Sequence, residues 1–219
     1  MGLSFQDDRS YSNNMARPRR SEQTREALIS AGIDQISTHG YHGTGIKQIL
    51  DIVNVPKGSF YNFFASKEAF VVELVKTYNH DLLNEVQQFR SGPGASLSPL
   101  EQIRQVAKYA LQKHADSQCQ KSCLIGALAI DIGSESVICQ QALSLATQEW
   151  QALYIELFSL AQQAGEVRTD MSAQQLTRVY WSTWEGSLLE MKVSKNTQEA
   201  ADTLESVLGV LFKPVLSAA

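Results

Sequence analysis

The sequence predicts an all-α protein with a helix-turn-helix near its N-terminus and a larger helical body behind it. Three observations predict this. Apolar residues recur at three and four positions, the helical period, and no stretch alternates at two as a half-buried strand would. Two short helical patterns, 46–53 and 57–64, meet across Asn54-Val55-Pro56, where Asn54 tolerates a left-handed turn and Pro56 suits entry to a helix. Capping pairs precede the later long patterns: Ser98-Pro99-Leu100-Glu101, Ser172 with Gln175, and Asn196 with Glu199.

Taken in order, the first helix is expected over 21–39, capped by Ser21, with Leu28, Ile29, Gly32, Ile33 and Ile36 on one side and Gly40 as its stop. The two short helices follow, then a long one from Lys67, capped by Ser66, to about Arg90. The run SGPGASLSP, 91–99, is the clearest break in the chain. Beyond it, helices are expected to about 117 and over 122–131, 134–164, 172–193 and 197–217, making about nine. In the last, Ala201, Leu204, Leu208, Leu211 and Val215 form one stripe. Leu176, Val179, Tyr180, Thr183, Ser187, Leu188 and Met191 form another on the helix before, and two such helices either close their own core or pack on a second copy of the chain.

The bulk numbers fit an ordinary folded protein: 219 residues, 43% hydrophobic and 19% charged. No apolar run reaches the roughly 18 residues of a membrane span, and MGLSFQDDRSYSNN lacks the apolar centre of a secretory signal, so a cytoplasmic protein without membrane contact is expected. Three cysteines, Cys119, Cys123 and Cys139, are an odd number in a long chain and are expected to be thiols. A net charge of −4 excludes a protein that is basic all over. Arg17, Arg19, Arg20, Lys47, Lys57 and Lys67 nevertheless gather in the first third, as a local basic face on an acidic body requires.

The densest chemical signal is VPKGSFYNFFASKEAF, 55–70. A helix that enters a DNA major groove needs short or planar polar groups outward and an apolar back. Phe60, Phe63 and Phe64 suit the back; Ser59, Tyr61 and Asn62 suit base edges or phosphate oxygens; Gly58 lets the backbone approach; Lys57 and Lys67 suit phosphates. From Gly40 to Phe70 the chain resembles the DNA-binding signature of the tetracycline-repressor (TetR) family. Gly40, Thr44, Ile46, Ile49, Val55, Lys57-Gly58-Ser59, Phe60-Tyr61, Phe64 and Ser66-Lys67-Glu68 all stand where that pattern places them. It departs at Asn54, where the family's turn usually has glycine, at Asp51-Ile52-Val53 and at Gly45.

The resemblance implies a homodimer on a near-palindromic double-stranded DNA operator, released by a small-molecule or electrophile signal. It divides the chain into an arm, 1–20, a DNA-binding domain, 21–66, and an effector-binding and dimerisation domain, 67–219, with dimer contacts through about 172–217. Candidate DNA-contacting residues are Thr44, Lys47, Lys57, Gly58, Ser59, Tyr61, Asn62 and Lys67.

In the body, SCLIGALAIDIGSES, 122–136, resembles the branch of the family that responds to reactive electrophiles. Ser122 as a helix cap and Lys121 beside it would lower the thiol pKa of Cys123 and make it a sensor; an inert buried thiol is the alternative. Tyr154, Tyr180, Trp181, Trp184 and Met191 either line an apolar pocket or fill core, with Glu185 and Lys192 as polar pocket groups; Lys192 also resembles a lysine of that branch. Cys119, Cys123 and His114 are too few for structural zinc, and no metal or cofactor is expected. A small helical ligand carrier or a dimeric protein adaptor would share the helical pattern. No nucleophile–base set or phosphate loop supports an enzyme.

Overall fold

The structure, a computed structural model, describes residues 20–215. Among these the chain is helical throughout: α1 (Arg20–His39), α2 (Ile46–Val53), α3 (Lys57–Phe63), α4 (Lys67–Ser91), α5 (Pro99–Asp116), α6 (Leu124–Asp131), α7 (Val137–Gln163), α8 (Ala173–Ser194) and α9 (Thr197–Ser206). A wider π-type turn, Val207–Leu211, continues α9. The arm expected over 1–20 lies, except for Arg20, outside the described residues.

Local chemistry explains most of the boundaries. Ser66, Ser98, Ser136 and Ser172 each accept a hydrogen bond from the backbone N–H three residues on, and Gln175 returns the bond to Ser172 N–H at 2.8 Å. Gly40, at φ 76°, ends α1, and Asn54, at φ 57°, ends α2 in the left-handed conformation that α3 needs to leave at an angle. Four expectations are corrected. Ser21 lies inside α1. Asn196 takes its bond from Gln198 N–H rather than forming a box with Glu199. Helix α6 begins at Leu124 with Cys123 in the cap position, one residue later than a Ser122 cap would set it. The π-type turn breaks the final stripe: Leu204, Leu208 and Phe212 are buried, while Leu211 and Val215 face outward.

Helices α1, α2 and α3 form the head, and α4 runs from it into the body, packing on both α1 and α7. The body is an α5–α9 bundle in which α7 and α8 make the most extensive contact. Among the described residues no helix is long and apolar enough to cross a membrane.

Candidate functional site

Helix α3 is held by its rings. Phe60 is fully buried and Phe64 nearly so, and with Phe70 at the start of α4 they form a three-ring cluster with centroids 4.6 to 5.3 Å apart. Arg25 of α1 lies 5.5 Å from the Phe64 ring centroid and is anchored by Glu73 of α4. The opposite side of α3 is free: Lys57, Gly58 and Asn62 are exposed, Ser59 is half-buried, and Tyr61 is 58% exposed. Lys47 on α2 is exposed as well. A Cβ at Gly58 would meet nothing within 4 Å, so the bare backbone there answers no need of the protein's own packing.

Two residues expected at this surface serve the head's interior instead. Thr44 is 1% exposed, and its hydroxyl donates to Gly40 O at 2.8 Å and Gln35 O at 3.3 Å. It clamps the loop before α2 rather than offering a side chain to DNA. Lys67 donates from Nζ to Tyr41 O and Thr44 O, both at 2.6 Å, with its ammonium 4.0 Å from the Tyr41 ring centroid. Burial lowers its pKa. A cation spent on two carbonyls is a loop fastener, not an open phosphate clamp.

In the body, Trp150, Tyr154, Trp181, Trp184 and Tyr78 join Leu82, Val106, Ala110, Cys123 and Ile125 around a cavity of about 60 Å³. Trp150 stacks toward Tyr154 at 6.1 Å and toward Trp181 at 6.3 Å. Tyr180 does not line this space. It is fully buried behind it, against Tyr154 at 4.9 Å and Phe158 at 5.8 Å. Lys192 does not line it either: its Nζ donates to Ser122 Oγ at 2.7 Å.

Cys123 reaches the cavity, but its environment reverses the expected activation. Burial, then the Glu185 carboxyl, push the thiol pKa well up; the Gly126 and Ile125 amides at the start of α6 pull the other way and are outweighed. Lys121 does not help the thiolate, because its ammonium is 2.5 Å from Asp34 of α1. Cys123 at rest is a protonated thiol. Cys119 and Cys139 are also buried and unbridged, and among the described residues no cluster of three or more His, Cys, Asp or Glu is gathered for a metal.

The segment that carries Cys123 is tied to the head. Ser122 N–H donates to Ser37 O at 2.9 Å, Tyr41 N–H donates to Asp131 Oδ2 at 2.7 Å, and His42 Nε2 lies 3.0 Å from Asp131 O. Thus α6 has one end at the cavity wall and the other against the loop that precedes α2.

Residues 28–74 match the family described as bacterial regulatory proteins, tetR family, and residues 99–207 match the tetracyclin repressor-like C-terminal domain. The transcriptional regulator AcuR of Cereibacter sphaeroides is 32% identical over 77% of this chain and 76% of its own length. The chain belongs to the TetR family of bacterial transcriptional regulators. Two further TetR-type relatives, the repressors DhaR of Mycobacterium sp. (strain GP1) and NemR of Escherichia coli (strain K12), are each 28% identical over 88% of this chain, and over 92% and 96% of their own. The crystal structure of regulatory protein TetR from Rhodobacter sphaeroides superposes with a TM-score of 0.79 at 28% identity, covering 84% of this chain and 96% of that one.

TetR-family members are DNA-binding regulators, not enzymes, and bind operators as homodimers under small-molecule control. In this TetR chain Lys47, Lys57, Gly58, Tyr61 and Asn62 of the head are exposed and Ser59 is half-buried, while Cys123, Tyr154, Trp181 and Trp184 line one cavity. Tyr78 and Trp150 were not singled out from the sequence. Their signal was present, since Trp150 stands one turn before Tyr154 on α7, but Tyr78 sits on α4, whose apolar stripe reads as ordinary core.

Proposed function

We propose that the chain is a cytoplasmic homodimeric repressor that reads its operator through α3 and is released by an effector entering the body cavity. The observation that carries this reading is the two-sidedness of α3: a closed phenylalanine cluster behind, and Lys57, Gly58, Ser59, Tyr61 and Asn62 in front. In a major groove Asn62 and Tyr61 meet base edges, Gly58 allows close approach, and Lys57 with Lys47 meets phosphates. Thr44 and Lys67 act indirectly, by fixing the loop before α2.

The dimer forms through α8 and the end of α9. Val179, Ser182, Gly186, Leu189 and Val193 repeat at three and four positions along α8 and are all exposed, Leu189 at 61% and Val193 at 83%. Val210, 71% exposed, extends the apolar surface from the π-type turn. A Cβ at Gly186 would meet nothing within 4 Å in the single chain, so the gap there suits the close approach of a second helix.

Effector binding is transmitted through α6 and the residues just before it, since Asp131 and Ser122 hold the head. A ligand that prefers a different α6 position releases the operator by its differential affinity for the two states. The test is a gel shift against DNA flanking the gene, repeated over a salt series. Selective binding that weakens by about 0.9 in log K per neutralised phosphate for each tenfold rise in salt is expected. Tyr61→Ala and Asn62→Ala should each lose selectivity with the fold intact. Absence of selective binding, or variants indistinguishable from the parent, would sink the reading.

A further inference from the structure

The chemistry of the body cavity is lopsided, and it deepens the effector reading on which it rests. All three tryptophans of the chain, Trp150, Trp181 and Trp184, face this one space, with Tyr78 and Tyr154 completing an aromatic wall. The faces of such rings carry negative potential. Next to Trp184 in the chain, Glu185 brings its carboxyl to the Cys123 thiol at the cavity's edge, and its Oε1 is buried with no donor. Helix α6 leaves room for that carboxyl: a Cβ at Gly126 would fall 2.3 Å from Glu185 Oε2.

No cationic side chain lines the cavity. The lysines at the end of α8 are engaged elsewhere, Lys192 with Ser122 Oγ at 2.7 Å and Lys195 with Cys119 O at 3.1 Å. An anionic effector would enter among aromatic rings, with the Glu185 carboxyl behind Cys123 and no counter-charge. A cation would find attraction from the rings and supply the charge that Glu185 lacks.

We infer that the cavity receives the head of a small organic cation, of the methylated-ammonium type, with the tryptophan rings as its walls and Glu185, just behind Cys123, as its counter-ion. Without it, burial raises the Glu185 pKa and favours the neutral acid; the cation favours the carboxylate and displaces the proton. A cavity of about 60 Å³ is room for about two waters, so the walls must move apart to admit even the head. The remainder would need the Val106 side chain to move aside. An apolar groove of about 630 Å³ between α4 and α5, walled by Val86, Phe89 and Tyr109, shares Val106 with the cavity.

Because every tryptophan lines the cavity, intrinsic fluorescence of the full-length protein reports on it directly. Three probes of one shape separate the charges: choline, the neutral 3,3-dimethylbutan-1-ol, and 3,3-dimethylbutanoate. Choline should shift the fluorescence and bind at least tenfold more tightly than the alcohol, with the carboxylate weakest. Glu185→Gln should cost choline at least tenfold and leave the alcohol nearly unchanged, its fold checked by helical circular dichroism. Should that variant not fold, the charge series on the unmodified protein decides. Equal binding of choline and the alcohol, tighter binding of the carboxylate, or no response to choline overturns the inference. Operator binding is measured separately by gel shift, so a protein that binds DNA but ignores choline defeats this inference alone, and one that binds choline but no DNA defeats the regulator reading alone.

Discussion

Phe60, Phe64 and Phe70 in the head and Trp150, Tyr154 and Trp181 in the body are both aromatic clusters, but the first closes its space and the second leaves it open. The head rings approach to 4.6 to 5.3 Å, whereas the body rings lie at 6.1 and 6.3 Å around a cavity. The difference follows from the partner each serves. A DNA groove has a fixed shape, so α3 gains by being rigid and presenting Tyr61 and Asn62 from one position. An effector must change the state of its host, so the walls that hold it must have somewhere to move.

The comparison breaks most sharply at Phe60. Phe60→Ala removes a fully buried ring from the three-ring cluster and should cost about 3–5 kcal/mol by cavity formation, read by urea unfolding. Operator binding should fall with it, because α3 loses its backing. Were Phe60→Ala to unfold like the parent, the head would not be the closed cluster described, and rigidity could not be the basis of its recognition surface.

Gly58→Ala inverts that pattern and has a smaller effect. With nothing within 4 Å of the added Cβ, and alanine the better helix former, stability should rise by about 0.5–1 kcal/mol. Operator affinity should nevertheless drop at least tenfold, about 1.4 kcal/mol, since the methyl stands where DNA backbone approaches. Melting and gel shift on the one variant check both halves. A tighter or unchanged complex would show that Gly58 does not face the groove.

The same contrast governs what the sequence made legible. The recognition helix was readable because its constraints are local: the turn at Asn54, the aromatic back and the polar front all fall within 54–64. Thr44 and Lys67 belong to the same motif, yet their side chains turn to carbonyls of the preceding loop, and a motif position does not say whether a residue touches DNA or holds the one that does. Cys123 was legible as a candidate sensor thiol and illegible in its chemistry. The helix start and Lys121 are visible in the chain, but Glu185 arrives from α8 and Asp34 on α1 draws Lys121 to itself, so the sign of the pKa shift is set by tertiary packing. The α8 stripe read from the sequence packs mostly into the chain's own core, at Leu176, Tyr180, Leu188 and Met191, and that of the last helix is broken by a π-type turn that no capping pattern announces.

The weakest expected effect tests the loop that carries the cavity's movable wall. Between α5 and α6, Gln118 and Cys119 both stand at positive φ, 53° and 54°, and His114 Nδ1 lies 3.1 Å from Lys121 O across the same loop. Burial lowers the His114 pKa from 6.5, with the Lys121 carbonyl bond opposing it only in part. A lowered native pKa means that, as pH falls through 6.5, the unfolded chain takes up a proton the native chain refuses. Stability is therefore full above that pH, declines below it by at most about 1.4 kcal/mol per pH unit, and levels off once the native imidazole also titrates. Glu185 contributes the opposite slope, because its raised pKa makes the native chain the stronger proton binder. The difference between the parent and His114→Asn in urea unfolding across pH 7.5 to 5, roughly one unit either side of the ordinary histidine pKa, isolates the histidine: the parent should lose stability relative to the variant as pH falls, and parallel profiles would remove His114 from the account of what holds this loop.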